Sequence, residues 1–154
     1  EDSRNNYGLI HGTPNVSAAV AMSYAMEYAI DGLEDGNDEH WRSLLGYLEI
    51  KLLGNRSDCN IIAKDQPKTH AINAIYLPNI NADALTQYLS SKSIYISPGH
   101  SACAANDDYR VLEAFGLTKE QASQTVRISF GEDTNMEDID ALVKGIVEFK
   151  NLFI

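Results

Sequence analysis

The residues of this chain with the most chemistry in them are one cysteine and a histidine three positions before it. Cys103 and His100 lie in Ser97-Pro-Gly-His-Ser-Ala-Cys-Ala-Ala105. The thiolate is the nucleophilic form of cysteine. Positive charge and the backbone N–H groups of a helix N-terminus both stabilise it. The flanking residues predict that setting. Ser93-Ile-Tyr-Ile96 reads as a strand, and Asp107–Phe115 reads as a helix. The thiol would then sit on a strand-to-helix loop, where His100 can supply charge or take the proton. The same residues also read as a plain Gly/Ser/Ala turn with Cys103 as a small filler.

Two further positions carry chemistry. Arg127 stands in mid-strand in the apolar-alternating run Thr125-Val-Arg-Ile-Ser-Phe-Gly131. A buried arginine must meet an anion, and its planar fork suits a carboxylate. An arginine on the solvent face of an edge strand is the other reading. Thr13, in Gly8-Leu-Ile-His-Gly-Thr-Pro-Asn15, precedes a predicted helix. A hydroxyl and backbone amides there can cradle a phosphate. The plainer reading is a helix cap with Pro14 at the first helical position. His70 and Asn73 read as structural hydrogen-bonders, and Tyr7 and His11 lie near Thr13 without an assigned role. Cys59 reads as a buried strand residue.

Taken in order, these blocks resemble a known family. Gly12-Thr-Pro-Asn-Val16, Ser97-Pro-Gly-His-Ser-Ala-Cys103, Val111-Leu-Glu-Ala-Phe-Gly116, Val126-Arg-Ile-Ser-Phe-Gly131 and Glu137-Asp-Ile-Asp140 resemble the C-terminal part of the pyridoxal-phosphate cysteine desulfurases, in the class V aminotransferase group. The resemblance implies that Arg127 binds the carboxylate of L-cysteine. It implies that Cys103 takes the sulfur as a persulfide and passes it to an acceptor such as an iron–sulfur scaffold protein. It also implies that Thr13 reaches the cofactor phosphate of the neighbouring subunit in a homodimer, in the cytoplasm.

The chain departs from the family in four places, one of them the family's Asp-x-x-Gln/His aspartate that pairs with the pyridine nitrogen, which has no convincing match. The family's cofactor lysine lies in a Ser-x-His-Lys segment. Here His11, His40, His70 and His100 are followed by Gly, Trp, Ala and Ser. The sequence therefore reads as a C-terminal portion whose cofactor is held mainly by another part, and which is inactive alone. Ile10 stands where many members carry an arginine. Gly99-His-Ser-Ala-Cys103 falls between two subgroup patterns, which leaves the sulfur acceptor open. A selenocysteine lyase or other class V enzyme is one alternative, and a non-catalytic partner domain is another.

These residues need a frame to position them. The chain has 154 residues, 44% of them hydrophobic, and a formal net charge of −10. That length suffices for a packed core, and the charge argues against a nucleic-acid surface. Two cysteines form no disulfide framework, and neither Cys-x-x-Cys nor a spaced histidine pair suggests a metal. No apolar run is long enough to span a bilayer. Val16–Asp31 predicts a long, largely buried helix and Glu39–Leu53 an amphipathic one. Cys59–Ala63, Ala71–Leu77, Ser93–Ser97 and Thr125–Phe130 predict strands. Asn81 or Asp83 predicts the cap of a helix to Ser90. Thr118/Gln121 and Thr134/Glu137 predict capping boxes, the second opening a terminal helix. The expected fold is α/β, more closely an α+β small domain: a mostly antiparallel sheet with helices on one face. The resemblance makes it the small domain of the fold type I transferases. Residues 1–31 would form the phosphate motif and a connecting helix, and residues 32–154 the small domain.

Overall fold

The computed structural model describes residues 13–55, 58–100 and 108–153. They fall into two units, divided between Asn37 and Asp38. The first holds helix α1 (Val16–Glu34). Asn15, not Thr13, is its N-cap, and its side chain accepts from the Ala18 N–H at 3.0 Å. Pro14 thus precedes the cap. The helix is present as expected, but no α1 residue is buried. Tyr24, Met22 and Tyr28 are each more than 60% exposed. An apolar composition states what a helix could bury, not what is present to cover it.

The second unit runs α2 (Asn37–Asn55), β1 (Asn60–Ile61), β2 (Ile72–Tyr76), α3 (Ala82–Ser90), β3 (Ser97–Pro98), α4 (Arg110–Ala114), α5 (Lys119–Ser123), β4 (Thr125–Ser129) and α6 (Met136–Phe153). The strands form one sheet in the order β1-β2-β4-β3, and every pairing is antiparallel. Ile75 faces Val126 across the central pair, and Ala74 faces Arg127. Period-two alternation sends these pairs to opposite faces. On one face Ile75, Val126 and Ile128 pack with Leu44 and Leu48 of α2, Leu85 and Leu89 of α3 and Ile146 of α6. Each such buried side chain contributes roughly 1.5–3 kcal/mol of transfer free energy. Helices α4 and α5 build a smaller cluster of Tyr109, Leu112 and Ala122, with Ala74 and Leu117 against it.

Caps decide where the helices start. Asn81 caps α3 through Ala84 N–H, and Thr118 with Gln121 forms the expected box on α5. At α6 the box is one residue later than expected. Asn135 Oδ1 accepts from Asp138 N–H, and Asp138 Oδ2 accepts from Asn135 N–H. Thr134 instead accepts from Gly131 N–H and closes the preceding turn.

The strand expected at 93–97 shrinks to Ser97–Pro98. Ser93 adopts φ +62° in the turn that ends α3, where Ile94 N–H donates to the Leu89 carbonyl. The helix expected from 107 begins only at Arg110. The strand expected at 59–63 is cut to Asn60–Ile61, since Ala63 turns the chain with φ +53°. Cys59 precedes that strand and is half-buried. Among the described residues, no helix is long and apolar enough to cross a membrane.

Candidate functional site

Strand β4 lifts Arg127 onto the face opposite the main core. Its register neighbours are Ala74 on β2 and Ser97 on β3. The guanidinium is exposed, and Nη2 donates to Ser97 Oγ at 3.3 Å. The strand is central and not at an edge, yet the side chain reaches solvent. It does so into an open pocket of about 1040 Å³.

The stretch that follows β3 forms another wall of this pocket. Gly99 and His100 both line it. Gly99 N–H donates to the Thr125 carbonyl at 2.7 Å. A β-carbon on Gly99 would meet Leu112 Cδ1 and Thr125 O at 2.7 Å each, so the backbone at Gly99 lies flat against β4 and α4. His100 is half-buried, with Nε2 3.0 Å from Asp83 Oδ1 in the first turn of α3. Its ring meets Tyr109 edge-on at 6.0 Å. The Asp83 contact fixes the ring orientation and places negative charge beside one ring nitrogen.

The remaining wall is mixed. Ile72, Ala74, Leu112 and Phe115 supply apolar surface. Asp108 and Arg110 form a bidentate pair, with Arg110 Nε 2.8 Å from Oδ1 and Nη2 2.7 Å from Oδ2. The guanidinium holds the Asp108 carboxyl below the usual carboxylate range. Lys68 adds an ammonium that donates to Asn73 Oδ1 at 3.0 Å. Burial pulls the Lys68 pKa down. The sequence reading did not include Lys68, Asp108 or Arg110. Asp108 and Arg110 were legible as an acid and a base two positions apart. Lys68 carried no signal, because it lies in the irregular stretch between β1 and β2.

The structure thus brings together two of the four expected site residues, Arg127 and His100. Thr13 is exposed ahead of α1 in the other unit. Cys103 lies outside the described residues, as do Tyr7 and His11. Asn73 is fully buried, with Nδ2 donating to the His70 carbonyl at 2.7 Å. His70 Nδ1 in turn meets Asp38 Oδ2 at 2.9 Å, so both serve the fold. Among the described residues, no cluster of three or more His, Cys, Asp or Glu could hold a metal ion.

Known proteins are similar to this chain in sequence and in fold. The chain is 34% identical over 136 residues to an IscS-like cysteine desulfurase of Mycobacterium tuberculosis, which covers 86% of this chain and 34% of that protein. It is 28% identical over 141 residues to cysteine desulfurase IscS of Methanosarcina thermophila, covering 89% and 34%. The chain therefore spans about a third of the length of these relatives. Its fold superposes on a NifS-like protein with a TM-score of 0.80 at 26% identity, over 98% of this chain and 38% of the other. A NifS-like protein from Rickettsia africae gives 0.80 at 23% identity, over 97% and 38%. The small antiparallel sheet with its helices is thus a NifS-like fold. The family model described as aminotransferase class-V matches residues 3–142, and this chain belongs to that family.

Proposed function

We propose that this chain supplies the substrate-carboxylate and sulfur-accepting side of a cysteine desulfurase, which takes sulfur from L-cysteine and leaves alanine. The observation that carries the reading is the pocket that Arg127 shares with Gly99 and His100, the residues that lead to Cys103 in the sequence. In this reading Arg127 grips the α-carboxylate with its fork and so orients the amino acid. Ser97 holds one guanidinium nitrogen, which limits the rotamers the side chain must give up. Gly99 anchors the loop, and Cys103, four residues on, supplies the thiolate that accepts the sulfur as a persulfide. A loop lets that sulfur travel to an acceptor protein, such as an iron–sulfur scaffold. His100, tied to Asp83, supports the loop.

The class-V family works with pyridoxal phosphate, which as a bound group supplies an electron sink. In this reading Thr13 reaches the cofactor phosphate of the neighbouring subunit. Thr13 is exposed two residues ahead of Asn15, the N-cap of the 19-residue helix α1. No lysine here lies in the family's Ser-x-His-Lys context, so this reading places the rest of the cofactor site on another part of the enzyme. A homodimer working in the cytoplasm completes the reading.

The test is mass spectrometry of the natural gene product after treatment with L-cysteine. One added sulfur is expected on the Cys103 peptide, and none in Cys103→Ser, since a serine hydroxyl forms no persulfide. The same label on Cys59 would overturn the assignment.

A further inference from the structure

We propose that Lys68 is a second anion-binding point of the Arg127 pocket, taking the side-chain acid of an amino-acid ligand whose α-carboxylate Arg127 holds. This rests on the reading above for Arg127 and adds the class of ligand.

Most cations that this acidic chain places in an ion pair sit outside the pocket. Lys51 meets Asp140, Lys64 meets Glu49, Lys92 meets Glu148 and Arg42 meets Asp38. Within the pocket, the Arg110 charge is taken by Asp108 through both carboxylate oxygens. Lys68 and Arg127 differ from all of these. Among the described residues their hydrogen-bond partners are neutral: Asn73 Oδ1 for Lys68 and Ser97 Oγ for Arg127. Both line the same pocket. A chain with formal charge −10 has carboxylates to spare. Among the described residues it nevertheless leaves two cations of one pocket with amide and hydroxyl partners.

Lys68 is also held in place. It is half-buried, and burial alone accounts for its lowered pKa. A partly desolvated ammonium without a counter-charge is costly, and an arriving anion removes that cost. Asn73 Oδ1 holds the ammonium at 3.0 Å. This asparagine is fully buried, and its own amide is committed to the His70 carbonyl. The lysine therefore needs little reorganisation to meet a ligand, which favours binding. Two fixed cations with neutral partners select a ligand with two acidic groups over one with a single carboxylate. The second group can be a carboxylate, or the thiolate of a cysteine-like substrate.

NMR titration of the chain with L-aspartate and with L-alanine tests this. L-aspartate should bind roughly five- to tenfold more tightly, the worth of one added charge-assisted contact. Lys68→Met should bring L-aspartate down to the level of L-alanine, and Lys68→Arg should keep most of the preference. Lys64→Met, which changes a lysine outside the pocket, should change neither. Equal binding of the two amino acids, no binding of L-aspartate, or a preference that survives Lys68→Met would overturn the proposal. Arg127→Met decides the underlying reading separately. Weakened L-alanine binding in that variant keeps Arg127 as the carboxylate site even if Lys68 fails, and unchanged binding removes it.

Discussion

At Gly99 the chain has no room for a β-carbon. The nearest obstacles are the Leu112 side chain and the Thr125 carbonyl, both at 2.7 Å, and a carbonyl in a ladder cannot move alone. Gly99→Ala should therefore destabilise the protein by about 1–3 kcal/mol, as overpacking does. It should also shift the NMR signals of His100 and Arg127, which share the pocket. A neutral Gly99→Ala in urea unfolding would mean that the loop root yields. Single residues such as this one were partly legible. Arg127 announced itself as a charge breaking an apolar alternation, and His100 by its distance from Cys103. Lys68 did not, because a turn at Ala63 and a buried amide from β2 bring it to the pocket. Those are tertiary facts that no local pattern encodes.

Among the elements, boundaries were harder to read than existence. Strand β3 joins the sheet for only two residues, because the α3 turn occupies Ser93 and Ile94 and releases the chain late. At α6 the sequence pattern pointed to Thr134 with Glu137, and the structure caps the helix with Asn135 and Asp138. The preceding turn makes the difference, since Gly131 N–H donates to the Thr134 hydroxyl. Asn135→Ala should then cost about 1 kcal/mol in urea unfolding, and Glu137→Ala close to nothing. The reverse ranking would restore the earlier box.

The junction of α2 with β2 makes a pH prediction. Hydrogen bonds from the His70 ring and backbone N–H hold the Asp38 carboxyl below its ordinary value of 3.8. A carboxyl depressed in the folded state adds stability above its ordinary value, and that stability is lost as pH falls through the lowered one. Asp38→Asn should therefore show a smaller fall in urea midpoint between about pH 6 and about pH 3 than the parent chain. An equal fall in both would show that the pair contributes nothing to the acid limb.

For the whole molecule, sequence reading saw that α1 is a helix and that the second unit is a small antiparallel sheet backed by helices. It could not see the difference in how the two are buried. Every residue of the large core cluster lies between Leu44 and Phe149, and no residue of α1 is buried. Apolar side chains such as Val16, Met22 and Tyr24 stay exposed, a surface of the kind that marks a contact site. Among the described residues, the large core cluster is thus built within the second unit. A chain beginning at Asp38 should fold alone, unfold cooperatively, and keep its urea midpoint to within about 0.5 kcal/mol of the parent. It should also bind less of an apolar-surface dye, since the exposed α1 side chains are gone. A loss of several kcal/mol would mean that the sheet and its three long helices need the first unit to hold together, and that α1 has a structural role in this chain beyond presenting Thr13.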